Sequence, residues 1–240
     1  MPILAWNFEG TTTDYISGLT GTTLGTVNYV TGKYSQALQI VNTSGTSASS
    51  NNVSYSGLSL NSGTGFTVTV WARIDTYQGA SIQGTVIGLR GYPNAAPATV
   101  NYFNLWQQSG GGVWGFYGQN GVTAGSNYQP QRFSTITPVI GTWYHLALAV
   151  NSSTFTFYLN GSQVGATVPV GNAFTINQMF LGRSGQLNGQ ALIGAEDDLR
   201  VYDTTLNAGQ IQTIYQGQGI QSRGLFLNSI GTTASQGWHT

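Results

Sequence analysis

The chain has 240 residues, no cysteine and a formal net charge of zero. Charged residues are 6 % of it, against roughly 25 % in an ordinary domain. Its one lysine and six arginines are scattered, which excludes the clustered positive charge that displaces counterions from nucleic acid. No apolar run approaches the ~20 residues of a membrane-spanning helix, and disulfides are excluded. Met1-Pro2-Ile3-Leu4-Ala5-Trp6 lacks the basic start and long apolar stretch of a signal peptide. Glycine, at 34 residues, is about twice its usual ~7 %. Strands rich in Thr and aromatics, joined by many Gly turns, suit an all-β domain. A single sandwich of this length is acceptable, so the core is not divided.

In chain order, residues 3–8 read as a first strand with Leu4, Trp6 and Phe8 on one face, because successive side chains of an extended chain point to opposite sides. Glu9, Gly10 and Asp14 lie in the Thr-rich loop behind it. Residues 18–32 are turn-rich, with a short strand over 26–30. Residues 37–41 form another strand, 42–52 a polar loop, and 53–60 lead into Phe66–Ile74, where Phe66, Val68, Val70, Ala72 and Ile74 share a face. Residues 85–90 are a strand. Residues 91–98, with Pro93 and Pro97, are a loop. Asn101–Gln107 and residues 113–117 form a hairpin across Ser109-Gly110-Gly111-Gly112. Residues 118–138 read as a long polar loop carrying Arg132.

The strongest local signal spans residues 141–167. Tyr144, Leu146, Leu148 and Val150 fall on one side of an extended chain, and Trp143, His145, Ala147 and Ala149 on the other. Phe155, Phe157 and Leu159 alternate with Thr154, Thr156 and Tyr158. Asn160-Gly161 supplies the two positive-φ residues of a type I′ turn, whose twist matches the strands, and a return strand follows over 162–167. Residues 179–182 and 195–202 are the last strands. One helix follows, with Asn207 as cap and Gln210 reaching back, Leu206, Ile211, Ile214 and Tyr215 packing on one side, and Gly217 and Gly219 stopping it. The residues from Gln221 to Thr240 contain one apolar run, Leu225-Phe226-Leu227. They read as a disordered end or as an arm that adds a strand to a neighbouring copy. Many short strands, one late helix and no βαβ spacing predict a two-sheet antiparallel sandwich or jelly roll over residues 1–216, with a C-terminal extension or assembly arm over 217–240.

Four segments then carry a family resemblance. Phe66-Thr67-Val68-Thr69-Val70-Trp71-Ala72-Arg73 resembles the FT-x-x-x-W-x-R strand of the laminin-G-like, concanavalin A-like lectin jelly rolls. Gly141-Thr142-Trp143-Tyr144-His145-Leu146-Ala147 resembles their G-x-W-x-H-x-A strand, and Tyr158-Leu159-Asn160-Gly161 their Y-x-NG hairpin. Gly194 to Tyr202, followed by Leu206 and Ile211, resembles the closing G-x-x-DD-x-R-x-Y strand and its helix. The resemblance covers roughly residues 3–216 in the family's order. It implies two sheets packed face to face with one concave face. Members mostly bind glycans or proteins, some hold a structural calcium ion, and some relatives are glycosidases; the fold alone does not choose among these.

Three chemistries are weighed. A glycosidase needs two carboxylates roughly 5–10 Å apart, and the related laminarinase-like enzymes carry Glu-x-Asp-x-x-Glu on one strand. This chain has two glutamates, Glu9 and Glu196, no such motif, and two histidines, of which His145 reads as structural and His239 lies in the tail. The chain is therefore read as a non-enzyme. Calcium needs six to eight oxygens. Asp197, Asp198, Glu9 and Asp14 can meet if the first and last strands pair, with strict alternation placing Glu196 and Asp198 on one face and Asp197 on the other. Otherwise Asp198 pairs with Arg200 or Arg73. No cofactor is required; a structural calcium ion is the one such group these residues suggest. Sugar recognition uses aromatic faces and amides. The hairpin offers Tyr102, Asn104, Trp106, Gln107, Trp114 and Tyr117, and Asn127, Tyr128 and Arg132 can close over it. The competing reading makes Trp106 and Trp114 sandwich core.

The sequence thus predicts a non-catalytic, lectin-like module binding a glycan or a protein partner, extracellular or on a particle surface. The alternative is a structural or attachment protein of a virus or phage particle, suggested by the scarce charge, the missing signal and the tail, with homo-oligomer or particle assembly through residues 217–240. Neither reading involves nucleic acid or membrane insertion. Four glycosylation sequons start at Asn42, Asn52, Asn151 and Asn160, of which Asn160, in a tight turn, is a poor acceptor.

Overall fold

The period-two alternation resolves into two antiparallel sheets that bury their apolar faces against each other. The structure, a computed structural model, describes residues 1–40, 51–77, 83–91, 101–122, 126–128, 130–185 and 192–217. In chain order the strands are β1 (Leu4–Trp6), β2 (Thr22–Leu24), β3 (Val27–Thr31), β4 (Gln36–Ile40), β5 (Asn52–Asn61), β6 (Phe66–Ile74), β7 (Gly84–Gly91), β8 (Asn101–Gln107) and β9 (Trp114–Val122). They continue with β10 (Ser126–Tyr128), β11 (Gln131–Phe133), β12 (Trp143–Val150), β13 (Thr154–Leu159), β14 (Ser162–Gln163), β15 (Val168–Pro169), β16 (Thr175–Leu181) and β17 (Gly194–Tyr202), before helix α1 (Ala208–Tyr215). The first sheet runs β14-β13-β12-β6-β17-β4-β3, with β1 on β17 and β15 on β13. The second runs β10-β9-β8-β7-β16-β5-β2, with β11 on β9. This is the expected two-sheet jelly-roll sandwich with one short helix near its C-terminal end.

The core is made by the residues that alternation selects. Phe66, Val68, Val70 and Ala72 of β6 lie opposite Val150, Leu148, Leu146 and Tyr144 of β12, and all eight are buried between the sheets. The second sheet contributes Val53, Tyr55, Leu60, Leu89, Phe103, Leu105, Trp114 and Phe116. Phe103 meets Phe174 at 4.5 Å and Phe155 at 4.9 Å, so rings from both sheets interlock. Burying each such side chain contributes about 1.5–3 kcal/mol.

The outer face of the first sheet is covered by α1. Ile211 and Ile214 pack with Leu206, Tyr202, Tyr158, Ala147 and Ala149. The capping box forms as expected: Asn207 Oδ1 accepts the Gln210 N–H at 3.0 Å, and Gln210 Oε1 accepts the Asn207 N–H at 2.9 Å. Gly217 follows at φ 72°. The Asn160-Gly161 turn has φ 49° and 78°, and Asn160 Oδ1 accepts the His145 N–H at 2.9 Å, tying the turn to β12. A Cβ at Gly161 would lie 2.2 Å from Gln212 Oε1 and 2.9 Å from Tyr215 Cδ1 of α1. Gly161→Ala therefore adds backbone strain to a clash with the helix and should cost about 1–3 kcal/mol in urea unfolding. An unchanged midpoint would show that α1 is not seated on this turn.

Three expectations change. Residues 118–138 are not one loop: β9 runs on to Val122, and β10 and β11 pair back onto it. Gly118, expected to open that loop, is a strand residue here, as Gly115 is in the expected strand. A Cβ at Gly118 would fall 2.2 Å from Phe103 Cδ1, and one at Gly115 would fall 2.3 Å from Phe133 Cδ1, so close ring packing requires their absence. The return strand is split by Gly165 at φ 62° into β14 and β15. In β17 the strict alternation of the acidic cluster fails. The register shifts between Asp197 and Arg200, with Asp198 at φ 45°. Such a bulge re-aims side chains. Glu196, opposite Ala72 and Leu38, faces the core, whereas Asp197 lies opposite Trp71 and Asp198 bonds to Arg200. The Asn42 sequon, the Pro93 and Pro97 loop, His239 and all of the expected arm after Gly217 lie outside the described residues.

Candidate functional site

The β8–β9 hairpin divides the predicted glycan-binding residues between its two faces. Residues paired across an antiparallel ladder share a face. Asn104 pairs with Tyr117, Tyr102 with Gln119 and Trp106 with Gly115, and this row points away from the core, because the intervening Phe103, Leu105 and Phe116 belong to it. On the outer row Tyr117 stacks on Trp106 at 5.3 Å with an interplanar angle of 24°. Its other neighbour is Tyr102, at 6.1 Å. Tyr102 and Trp106 are buried at 4 % and 6 % exposure, and Tyr117 is half-buried. Burial first, then hydrogen bonding with Tyr117, raises the Tyr102 phenol, so it stays neutral.

Gln107 and Trp114 pair with each other on the inner side. Trp114 is wholly buried in the core. Gln107 Nε2 donates to the carbonyls of Gln108 and Gly112, closing the turn at Ser109–Gly111. Arg132 pairs with Phe116 and so shares the inner row; its Cδ approaches the Gly165 backbone. Its neighbour Phe133 instead reaches the outer row, 6.3 Å from Trp106, and Gln131 pairs with Tyr117. Asn127 and Tyr128 are in β10, and their side chains lie outside the description. The structure thus brings Tyr102, Asn104, Trp106 and Tyr117 together, adds Gln119, Gln131 and Phe133, and places Gln107, Trp114 and Arg132 elsewhere.

Asn104 is a strut within this face. Its Nδ2 donates to Ser184 Oγ at 3.0 Å, and its Oδ1 accepts the Gly185 N–H at 3.0 Å. The chain at 183–185 crosses the sheet here over Gly88, where a Cβ would lie 2.3 Å from the Arg183 carbonyl oxygen and the Gly185 nitrogen. Arg90 Nη1 donates to the Gly185 carbonyl at 3.2 Å. The Arg183 guanidinium lies 5.7 Å from the Phe180 ring centroid. Burial, then the charge of Arg90, lowers the Arg183 pKa. Arg90 pairs with Tyr102 across β7–β8 and with Gln178 across β7–β16, so the aromatic row and the two arginines share one outer face. A groove of about 380 Å³ opens where β11 of the second sheet faces β13 and β14 of the first, lined by Phe133, Ile136, Leu159, Gln163 and Val164.

The four candidate metal ligands are each engaged by protein groups. Asp14 accepts the N–H groups of Ala5 at 2.6 Å, Ile16 at 3.0 Å and Ser17 at 2.6 Å, and the Ser17 hydroxyl at 2.6 Å. Burial works to raise its pKa, but these bonds outweigh it and lower the carboxyl. Glu9 accepts from the Ser35 hydroxyl at 2.8 Å and the Gln36 N–H at 3.2 Å. Asp197 accepts the N–H groups of Tyr34 at 2.8 Å and Asp198 at 2.7 Å; burial nevertheless pushes it up to about 7. Asp198 pairs with Arg200 at 2.8 Å. Among the described residues no group of three or more His, Cys, Asp or Glu is placed to hold a metal ion.

His145 packs as an aromatic ring, 5.3 Å from Trp71 and 6.0 Å from Tyr215. Burial, then the charge of Arg200, lowers it to about 3, so it is neutral. Glu196 is fully buried. The Gly182 N–H that lies towards it donates instead to the Val86 carbonyl at 2.8 Å, which leaves both carboxyl oxygens without a hydrogen-bond partner. Burial holds this carboxyl well above the usual carboxylate range.

Of the outer-face residues, Arg90, Phe180 and Arg183 left no local sequence signal, because β7 and β16 are joined only through long-range pairing. A signal for the charge of this face was present: Asp75 is the only acidic residue between Asp14 and Glu196.

A family model described as the concanavalin A-like lectin/glucanases superfamily matches residues 44–212, more than half of the chain. No curated protein matches it. Among solved structures, the chain is similar to domain 4 of AbnA, a GH43 extracellular arabinanase from Geobacillus stearothermophilus, in complex with arabinotriose. The identity is 18 %, the coverage 90 % of this chain and 98 % of that one, and the TM-score 0.69. It is also similar to the botulinum neurotoxin serotype D ligand-binding domain in complex with N-acetylneuraminic acid, at 13 % identity, 90 % and 51 % coverage and a TM-score of 0.65. The binding domain of Paraclostridial Mosquitocidal Protein 1 matches at 12 % identity, 90 % and 52 % coverage and a TM-score of 0.66. The chain spans about half the length of these toxin domains. At such identities the likeness is one of fold, and with the family match it shows that the chain belongs to the concanavalin A-like lectin/glucanases superfamily.

Proposed function

We propose that this protein is a non-catalytic carbohydrate-recognition module, working extracellularly or on an exposed surface, whose glycan lies on the outer face of the second sheet at Tyr117. The observation that carries the reading is the aromatic row in which Tyr117 stacks on Trp106 and lies tilted against Tyr102, with Gln119, Gln131 and Phe133 beside it. The half-exposed Tyr117 ring can take the apolar face of a sugar, and amides take its hydroxyls. Solved relatives of this fold hold arabinotriose and N-acetylneuraminic acid, which supports a sugar as the ligand class. The non-catalytic part rests on chemistry. Every strand of the second sheet lacks an acidic residue, so its outer face has no pair of carboxylates for glycoside hydrolysis.

Tyr117→Ala tests the site. On a glycan array followed by calorimetry, the wild type should retain at least one oligosaccharide and the variant should bind it about tenfold more weakly, a loss of about 1.4 kcal/mol. A wild type that retains no glycan, or a variant that binds as tightly, would remove the support for this reading.

A further inference from the structure

We propose a second ligand site, apart from the Tyr117 face: the groove between β11 and the β13–β14 edge takes a saccharide unit bearing a carboxylate or a sulfate ester, whose charge the Arg132 guanidinium holds. That the ligand is a sugar rests on the recognition reading; that it is an anion rests on Arg132.

Arg132 is the first observation. The other described cations are engaged: Arg73 by Asp75 at 2.6 Å, Arg200 by Asp198 at 2.8 Å, Lys33 over the Trp71 ring at 4.2 Å, Arg90 by the Gly185 carbonyl and Arg183 beside Phe180. Among the described residues Arg132 has no such partner, and its Nε is buried without a hydrogen-bond acceptor. No acid stands between Asp75 and Glu196, so the segments that build the groove offer none. A buried donor without an acceptor is costly and marks a place where a further group binds. A water molecule satisfies the donor but leaves the charge unmatched; an anion does both.

The space beside Arg132 is the second observation. β11 sends this side chain to the inner side of the sheet edge. There Gly165, at φ 62°, breaks the return strand of the first sheet into β14 and β15. A Cβ at Gly165 would lie 3.2 Å from Arg132 Cδ, 3.7 Å from Nε and 3.9 Å from Nη1, so the guanidinium rests against bare backbone. Gly165 is also a wall of the groove of about 380 Å³, a volume within the roughly 300–1,000 Å³ of small-ligand sites. The groove is amphipathic. Phe133, Ile136, Leu159 and Val164 give it an apolar surface, and Thr135, Ser162 and Gln163 give it exposed hydroxyls and an amide. A sugar ring presents an apolar face and hydroxyls to such a lining, and the planar guanidinium matches a carboxylate or sulfate through paired hydrogen bonds.

The test is an NMR titration of the full chain with glucuronic acid, glucose 6-sulfate, glucose and inorganic sulfate. The Arg132 Nε–H and Gly165 amide signals should move with at least one of the two acidic sugars, which should bind about tenfold or more tightly than glucose, a difference of about 1.4 kcal/mol. The tighter of the two names the anion. Arg132→Gln should lose that tenfold preference and leave the weak glucose binding unchanged, which also shows that the variant is folded; Arg132→Lys should keep part of it. Thr135→Trp, which fills the groove and leaves Arg132 in place, should lose the acidic sugar as well. Tyr117→Ala should leave the titration unchanged. If the acidic sugars bind no more tightly than glucose, or bind Arg132→Gln as they bind wild type, the inference is overturned. If inorganic sulfate binds as tightly as glucose 6-sulfate, the saccharide assignment is overturned. A silent groove in a protein that still retains its array glycan removes this inference alone. An intact groove titration in a protein that retains no array glycan removes the Tyr117 reading alone.

Discussion

Replacing Arg200 with methionine should cost the folded state about 3–5 kcal/mol, the largest loss expected from a single substitution outside the packed core. Arg200 Nε donates to Asp198 Oδ1 at 2.8 Å, and the two side chains are 5 % and 9 % exposed. Burial works to lower the arginine pKa, but the Asp198 charge and the Tyr202 hydroxyl outweigh it and raise it. For Asp198, burial raises the carboxyl against the pull of Arg200. Removing the arginine leaves a buried carboxylate alone at a bulge residue of φ 45°, in a strand that pairs with β6, β4 and β1. The loss comes mostly from that stranded charge. Arg200→Met combined with Asp198→Asn should therefore recover more than half of it in urea unfolding. A single-variant loss below about 1 kcal/mol would mean that the pair behaves like an exposed one.

Glu196→Met should act in the opposite direction, stabilising the protein by about 1–3 kcal/mol at pH 8, the cost of a buried polar group without a partner. The gain should also depend on pH. An unfolded glutamate ionises near ~4.3. The folded carboxyl is held well above that by burial, so above ~4.3 the native state binds the extra proton and stability falls as pH rises, by at most about 1.36 kcal/mol per pH unit. Asp197, raised to about 7, adds to this fall between ~3.9 and its folded value. His145, lowered to about 3, opposes it below the ~6.5 of an unfolded histidine. Asp198, also raised by burial, acts in the same direction as Glu196; wild type and variant share the contributions of all three other groups, so the difference between them reports Glu196. Urea midpoints measured from pH 5 upward should diverge between wild type and variant; parallel curves would show that the buried carboxyl is not held above its unfolded range.

The residues themselves determined the strand pattern, the turn and the helix start. Alternation in Phe66–Ile74 and Trp143–Val150 sorts side chains between two sides whatever the strands pair with, since it follows from backbone geometry alone. Asn160-Gly161 and the Asn207–Gln210 box act over four residues or fewer, and both form as expected. The family resemblance rests on such short-range patterns.

Tertiary structure decided the membership of each face. Tyr102, Asn104, Trp106 and Tyr117 come together because the β8–β9 register places them so, whereas Arg132 falls one residue out of step with Gln131 and Phe133 and turns inward. The bulge at Asp198 broke an alternation that the acidic cluster invited, and so sent Glu196 into the core. Arg90 reaches the Gly185 carbonyl only because β7 pairs with β16 and glycine at position 88 lets the chain at 183–185 cross. A local pattern is a property of the chain's own geometry. Register, bulge and crossing depend on which distant strands pack and exchange hydrogen bonds, so these features, and with them the shape and charge of the outer face, existed only once the sandwich closed.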